Sequence, residues 1–222
     1  MRIIHIIPAA FNYFDDLKSF LFDIVDLQNG YGVEASAITL QYSGSDVRKE
    51  KKKLRENQKV ATTKKELLKY SFKGVKTISE AIKNLDEYDI VHMHLPFFGA
   101  GKLILNWKKE YPRTPLVVSY YYDFKAGDFF SLIIKYYNYY FVPKLLNIAD
   151  MITCVDDEMF ERSFAFKSLK DKNKLFVLKS EELAKNKLLT NSQFKVKLDN
   201  KKLKEELAKN MTSSYYMFKS SL

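Results

Sequence analysis

The chain has 222 residues, 46% of them hydrophobic and including 17 Phe and 15 Tyr, which is enough apolar material for one sizeable core. Only seven Gly and five Pro exclude a low-complexity or disordered chain, and a single Cys excludes an intrachain disulfide and fits a reducing cytoplasm. The charge of +10 is uneven: residues 1–47 carry −4, residues 48–85 +9, residues 86–166 −3 and residues 167–222 +8.

In chain order, Ile3-Ile4-His5-Ile6-Ile7 is a β-branched run stopped by Pro8, the mark of a buried strand and too short for a secretory segment. Apolar residues at 17, 20, 21, 24, 25 and 27 then recur in steps of three and four. They predict an amphipathic helix with Asp15 and Asp16 at its start and Gly30 or Gly32 at its end. Residues 33–40 read as a second strand, so the opening is a right-handed βαβ unit. Residues 46–58 are charge-dense, a helix or a loop, and residues 64–86 read as helical. The basic excess here is either a solvated helical face or a contact with an anionic membrane through Lys51, Lys52, Lys53 and Arg55. No nucleic-acid-binding motif accompanies it, so nucleic acid is not an expected partner.

Strands follow at 89–94, 115–120, 151–155 and 174–178, with helices predicted at 99–110, 128–148 and 156–168. Alternation of this kind predicts a Rossmann-like, doubly wound parallel α/β sheet with helices on both faces, its first strand beside the one at 89–94. We divide the chain into this domain, residues 1–179, and a lysine-rich helical tail, residues 180–222. Within the tail, Leu203, Leu207 and Met211 form one stripe, continued by Tyr215, which predicts a helix over 200–217 docked on the domain. The helix at 128–148 is too aromatic for a single buried face. Its rings are core, a partner-docking surface, or an interfacial belt at a lipid boundary. No apolar run approaches the roughly 20 residues needed to span a bilayer.

The order of these pieces resembles the N-terminal, acceptor-side domain of retaining glycosyltransferase family four, whose members have the two-domain GT-B fold. Asp89-Ile90-Val91-His92-Met93-His94-Leu95-Pro96 is similar to the family's D-V-V-H-x-H-x-P. Pro115-Leu116-Val117-Val118-Ser119-Tyr120-Tyr121-Tyr122-Asp123 is similar to P-V-V-x-T-x-H-x-D, and Ala149-Asp150-Met151-Ile152-Thr153 to A-D-x-I-I. The resemblance implies transfer of a hexosyl unit from a sugar nucleotide, with the acceptor held by this domain.

Three departures stand out. Where the family carries a Gly-Gly pair, this chain has Phe14-Asp15-Asp16, and carboxylates there repel a diphosphate. The family's histidine position falls on Tyr121, so no catalytic residue is assigned. The paired-glutamate donor motif is not found, and residues 200–210 resemble the family's returning C-terminal helix, which leads us to expect a donor domain lost between about 179 and 185. A generic charged helix is the alternative.

The expected acceptor-binding set is His94, Tyr120, Tyr122, Asp123, Phe14 and Asp15, at the carboxyl edge where open α/β sheets bind ligands. Tyrosines packed beneath the next helix are the other reading. His5, His92 and His94 suggest three imidazole ligands for zinc. No carboxylate sits at metal spacing, however, and the resemblance accounts for the histidine pair. Neither metal nor cofactor is therefore expected, and Cys154 reads as an inert core thiol.

Three roles follow. The first is one half of a split transferase in glycan, glycolipid or polysaccharide assembly, inactive alone and completed by a separate donor-domain protein. The second is a degenerate, non-catalytic binding or scaffold protein. The third is an accessory factor peripheral to the inner face of the membrane, with a sugar or lipid-linked acceptor.

Overall fold

The computed structural model describes residues 1–7, 15–39, 82, 84–97, 101–123, 131–184 and 200–222. Among the described residues, six strands form one wholly parallel sheet. They are β1 (Arg2–Ile7), β2 (Glu34–Thr39), β3 (Ile90–Leu95), β4 (Leu116–Tyr120), β5 (Met151–Cys154) and β6 (Leu175–Val177), in the order β2-β1-β3-β4-β5-β6. β1 lies between β2 and β3, as expected of a doubly wound sheet. Ile3, Ile4, Ile6 and Ile7 are all buried because helices cover both sides of the strand.

Two apolar layers flank the sheet. On one face α1 (Asp15–Asn29) brings Leu17, Phe20, Leu21, Ile24 and Val25 against Ile3 and Ile7. The C-terminal helix α8 (Lys201–Ser221) lies on the same face, burying Leu203, Leu207, Ala208, Met211 and Tyr215 in that core. Its sequence stripe therefore reports a docked helix. The opposite layer holds Ile4, Ile6, Val91 and Met93 under α2 (Gly101–Glu110) and α4 (Val142–Ile148).

Polar clasps set the element ends. Asn29 closes α1: its side-chain amide donates to the carbonyls of Val25 (2.9 Å) and Ala35 (3.0 Å), while its oxygen accepts from Ala35 N–H at 3.0 Å. Gly32 turns the chain into β2 at φ +83°, a conformation that glycine adopts without strain. Asn200 caps α8, accepting from Leu203 N–H at 3.1 Å. Lys204 of α8 meets Asp23 of α1 at 2.7 Å, and Tyr216 donates to Gly32 O at 3.1 Å.

Two helical stretches differ from expectation, and a third lies mostly outside the described residues. The span 156–168 is two short helices, α5 (Asp157–Glu161) and α6 (Phe164–Lys167), because Ser163 caps a new start by accepting from Phe166 N–H at 3.1 Å. From the span 128–148, α3 (Ser131–Tyr136) widens into a π turn, Tyr137–Phe141, before α4. Pro143 brings no N–H to that ladder. Of 64–86, residues 64–81 and 83 lie outside the described residues, as do 46–58, and Leu85–Glu87 is a single 3-10 turn. A last short helix, α7 (Glu181–Ala184), begins at Ser180, whose hydroxyl donates to Glu206 of α8 at 2.6 Å.

Candidate functional site

Two of the motif aspartates are structural clasps. Asp89 accepts from Arg2 N–H at 2.7 Å and meets Lys219 of α8 at 2.5 Å, binding the starts of β1 and β3 to the C-terminal helix. The Lys219 ammonium holds the Asp89 carboxyl below its usual range. Asp150 accepts from Leu116 N–H at 2.7 Å and pairs with the buried Lys108 at 2.6 Å, fixing β4 against α2.

The three histidines project from neighbouring strands onto one face. His5 pairs with His92 in the β1–β3 register, and His94 stands two residues further along β3, opposite Ser119 of β4. All three are fully buried. His5 Nδ1 and His94 Nε2 share a hydrogen bond of 2.9 Å, and His94 Nδ1 meets the Tyr121 hydroxyl at 3.0 Å. His92 Nε2 meets Ser119 Oγ at 2.7 Å, which meets Thr153 Oγ1 at 2.5 Å. His92 Nδ1 bonds to the hydroxyl of Tyr215, which α8 brings down over the cluster. The Gln28 side chain of α1 lies beside His5 and Tyr215 and interacts with both, though neither its amide nor His5 Nε2 makes a close hydrogen bond.

Burial removes the water that an imidazolium needs. It lowers His5 to about 3 and drives His92 and His94 well below the ordinary histidine value. Burial raises Tyr120, Tyr121 and Tyr215 above the ordinary tyrosine value. At neutral pH this is an uncharged network. Cys154 is buried and its thiol is pushed up to about 12, by burial first and then by Asp157 and Asp156, so it is inert.

The expected acceptor set divides. His94, Tyr120 and Tyr122 are buried at the carboxyl ends of β3 and β4 and present no surface to a sugar in this structure, because α1 and α8 cover the face on which His94 stands. Tyr120 packs on Phe160 at 4.8 Å and donates to Asp123 at 2.5 Å. Asp123, half-buried just past β4, is the member of the set with surface at that edge. Tyr121, at the family's histidine position, is a core residue. Phe14 and the side chain of Asp15 lie outside the described residues, as do Lys51, Lys52, Lys53 and Arg55.

The aromatic helix is split between core and surface. Tyr137 is buried, accepting from Phe97 N–H at 3.1 Å. Leu132, Tyr136, Tyr139, Tyr140 and Phe164 are exposed, and Tyr136 stacks on Tyr140 at 5.2 Å and Tyr139 on Phe164 at 4.9 Å. Sequence reasoning left this surface undivided, because the π turn shifts which rings share a face. It also missed Tyr215 as a partner of His92, since neither periodicity nor motif connects them.

The profile of Glycosyltransferase Family 4 matches residues 19–169, two thirds of the chain. The chain belongs to Glycosyltransferase Family 4. No curated protein matches it. The match covers the strands and motifs described above, and the parallel sheet is that of a GT-B N-terminal, Rossmann-like domain, which makes this a glycosyltransferase-like domain. No helix among the described residues is long and apolar enough to cross a membrane.

Proposed function

We propose that this family-four domain is the acceptor-side half of a split glycosyltransferase, inactive alone and completed by a separate chain that binds the sugar nucleotide. The exposed surface Leu132, Tyr136, Tyr139, Tyr140 and Phe164 carries the reading. It lies on and beside α3, which starts the return from the carboxyl end of β4, where a two-domain cleft opens. Exposed, mutually stacked tyrosines are the composition of a protein–protein interface core. The electrostatics point the same way. Among the described residues, His94 and Tyr121 are locked in the core, so the cations that stabilise a leaving diphosphate come from elsewhere. Asp123 is the group we assign to acceptor hydroxyls.

A native pull-down tests this. The wild-type chain retains a donor-domain protein, and Tyr136→Ser with Tyr139→Ser releases it. If no such protein is retained and no sugar nucleotide is turned over, the second reading holds: a non-catalytic binding protein. The replacement of the family histidine by the buried Tyr121 favours that alternative.

We assign the place of work to glycan, glycolipid or polysaccharide assembly at the inner face of the membrane, with lipid contact through Lys51, Lys52, Lys53 and Arg55. Among the described residues of the tail, Lys202 and Lys204 of α8 are engaged with Glu182 and Asp23, and Lys219 with Asp89. Flotation with anionic liposomes, strong at low salt and lost at about 1 M where the Debye length is about 3 Å, supports this assignment. Equal binding at both salts removes it.

A further inference from the structure

We propose that His5, His92 and His94, with the Tyr215 hydroxyl, form a structural site for a late first-row divalent cation, zinc above all. One ring nitrogen of each histidine lies within 4.8 Å of the others. His5 Nδ1 and His94 Nε2 face each other at 2.9 Å. Two imidazole nitrogens on one tetrahedral zinc, each about 2.0–2.1 Å from it, stand about 3.3 Å apart, so the pair opens by about 0.4 Å to admit the ion. We assign His92 Nδ1 as the third nitrogen, because the hydroxyl on it is that of Tyr215, the fourth donor.

The surroundings are those a metal-bound imidazole requires. A ligating histidine holds its other nitrogen on an outer partner that fixes the ring. His94 does so through Tyr121 at 3.0 Å, and His92 through Ser119 at 2.7 Å, itself tied to Thr153. For His5 the other nitrogen is Nε2, buried without a close partner, and the Gln28 side chain stands beside the ring, within reach of it. The hydrogen-bond network alone leaves His5 Nε2 without a close partner. Once Nδ1 of His5 is committed to a cation, Nε2 carries the proton and a small turn of Gln28 accepts it. Three imidazoles and a phenol, with neither carboxylate nor thiolate in the set, suit zinc, cobalt, nickel or copper, and not magnesium or calcium.

The cation joins β1 and β3 to α8, which places its role in holding the C-terminal helix. Because Tyr215 closes the site from above, the ion enters during folding. The test follows from that order. The full chain is unfolded with chelator, refolded with or without a small excess of zinc, passed over chelating resin, and its metal counted by mass spectrometry. The expected result is about one zinc per chain and a thermal midpoint higher by about 5–10 °C, the shift for a ligand at about a hundredfold its dissociation constant. His92→Gln and His94→Gln lose both effects. Tyr121→Phe, which removes the hydroxyl on His94 Nδ1 and keeps the core shape, weakens binding about 10–100-fold. If wild-type chain refolded with zinc retains none, or retains as much as the histidine variants, the proposal is wrong.

Discussion

The hydroxyl of Tyr215 is bonded to Nδ1 of His92 across 123 residues of sequence, so the last helix of the chain is fastened to the centre of the sheet. Both side chains are fully buried, and the bond lies inside the core that α8 shares with α1. Tyr215→Phe leaves the His92 nitrogen buried without a partner and is expected to cost about 1–3 kcal/mol in urea denaturation. Tyr215→Ala, which also opens a cavity, is expected to cost about 3–5 kcal/mol. Equal stability of wild type and Tyr215→Phe would show that the bond contributes nothing.

The docked helix should also be protected. Amides between Leu203 and Tyr215 are expected to exchange at the rate of global unfolding, because this segment is marginal as a helix in isolation and draws its order from the core. Exchange as fast as an unfolded peptide would detach α8 from the domain.

Acid should weaken the fold through the histidines. Burial holds His5 at about 3 and the other two well below 6.5, while in the unfolded chain each titrates near about 6.5. Below that value the unfolded chain binds protons that the folded chain refuses. The stability is therefore fully present above about pH 6.5 and is lost as pH falls toward about 3, at up to about 1.4 kcal/mol per pH unit for each histidine. Urea midpoints between about pH 7.5 and about pH 4.5 check this, and His92→Gln should flatten the slope. A decline that begins only near about pH 4 would belong to carboxylates such as Asp89 instead.

Asp150 offers a test of the motif clasps. Asp150→Ala removes the acceptor for Leu116 N–H and the charge facing buried Lys108. Lys108 keeps the carbonyls of Pro112 at 2.9 Å and Thr114 at 2.8 Å, which limits the expected loss to about 1–3 kcal/mol. A fully unaltered melting curve would contradict the clasp.

Much of this architecture was legible from residue pattern alone. The β-branched run Ile3 to Ile7, stopped by Pro8, reads as a buried strand, and the spacing of Leu203, Leu207 and Met211 marks a docking face. The histidines were legible as a row on one face, since alternate residues of a strand point the same way. Their closure by Tyr215 was not, because a contact over such a separation leaves no local signal. Of the acceptor set read from the carboxyl edge, His94, Tyr120 and Tyr122 stand at the strand ends but are buried, Asp123 is half-buried, and Phe14 and the side chain of Asp15 lie outside the described residues. Whether Tyr120 faces solvent or Phe160 depends on the helix that lands above it, and the break at Ser163 that shapes that helix is a side-chain cap rather than a pattern of apolar residues.

Turnover of sugar nucleotides tests the split-enzyme account most directly. Pure chain is incubated with UDP- and GDP-hexoses, alone and with the protein retained in the native pull-down, and nucleoside diphosphate release is followed. The account predicts background release for the chain alone and release above background for the pair, with the Tyr136→Ser and Tyr139→Ser double variant returning the pair to background. Release by the pure chain alone, well above the buffer control, would contradict it.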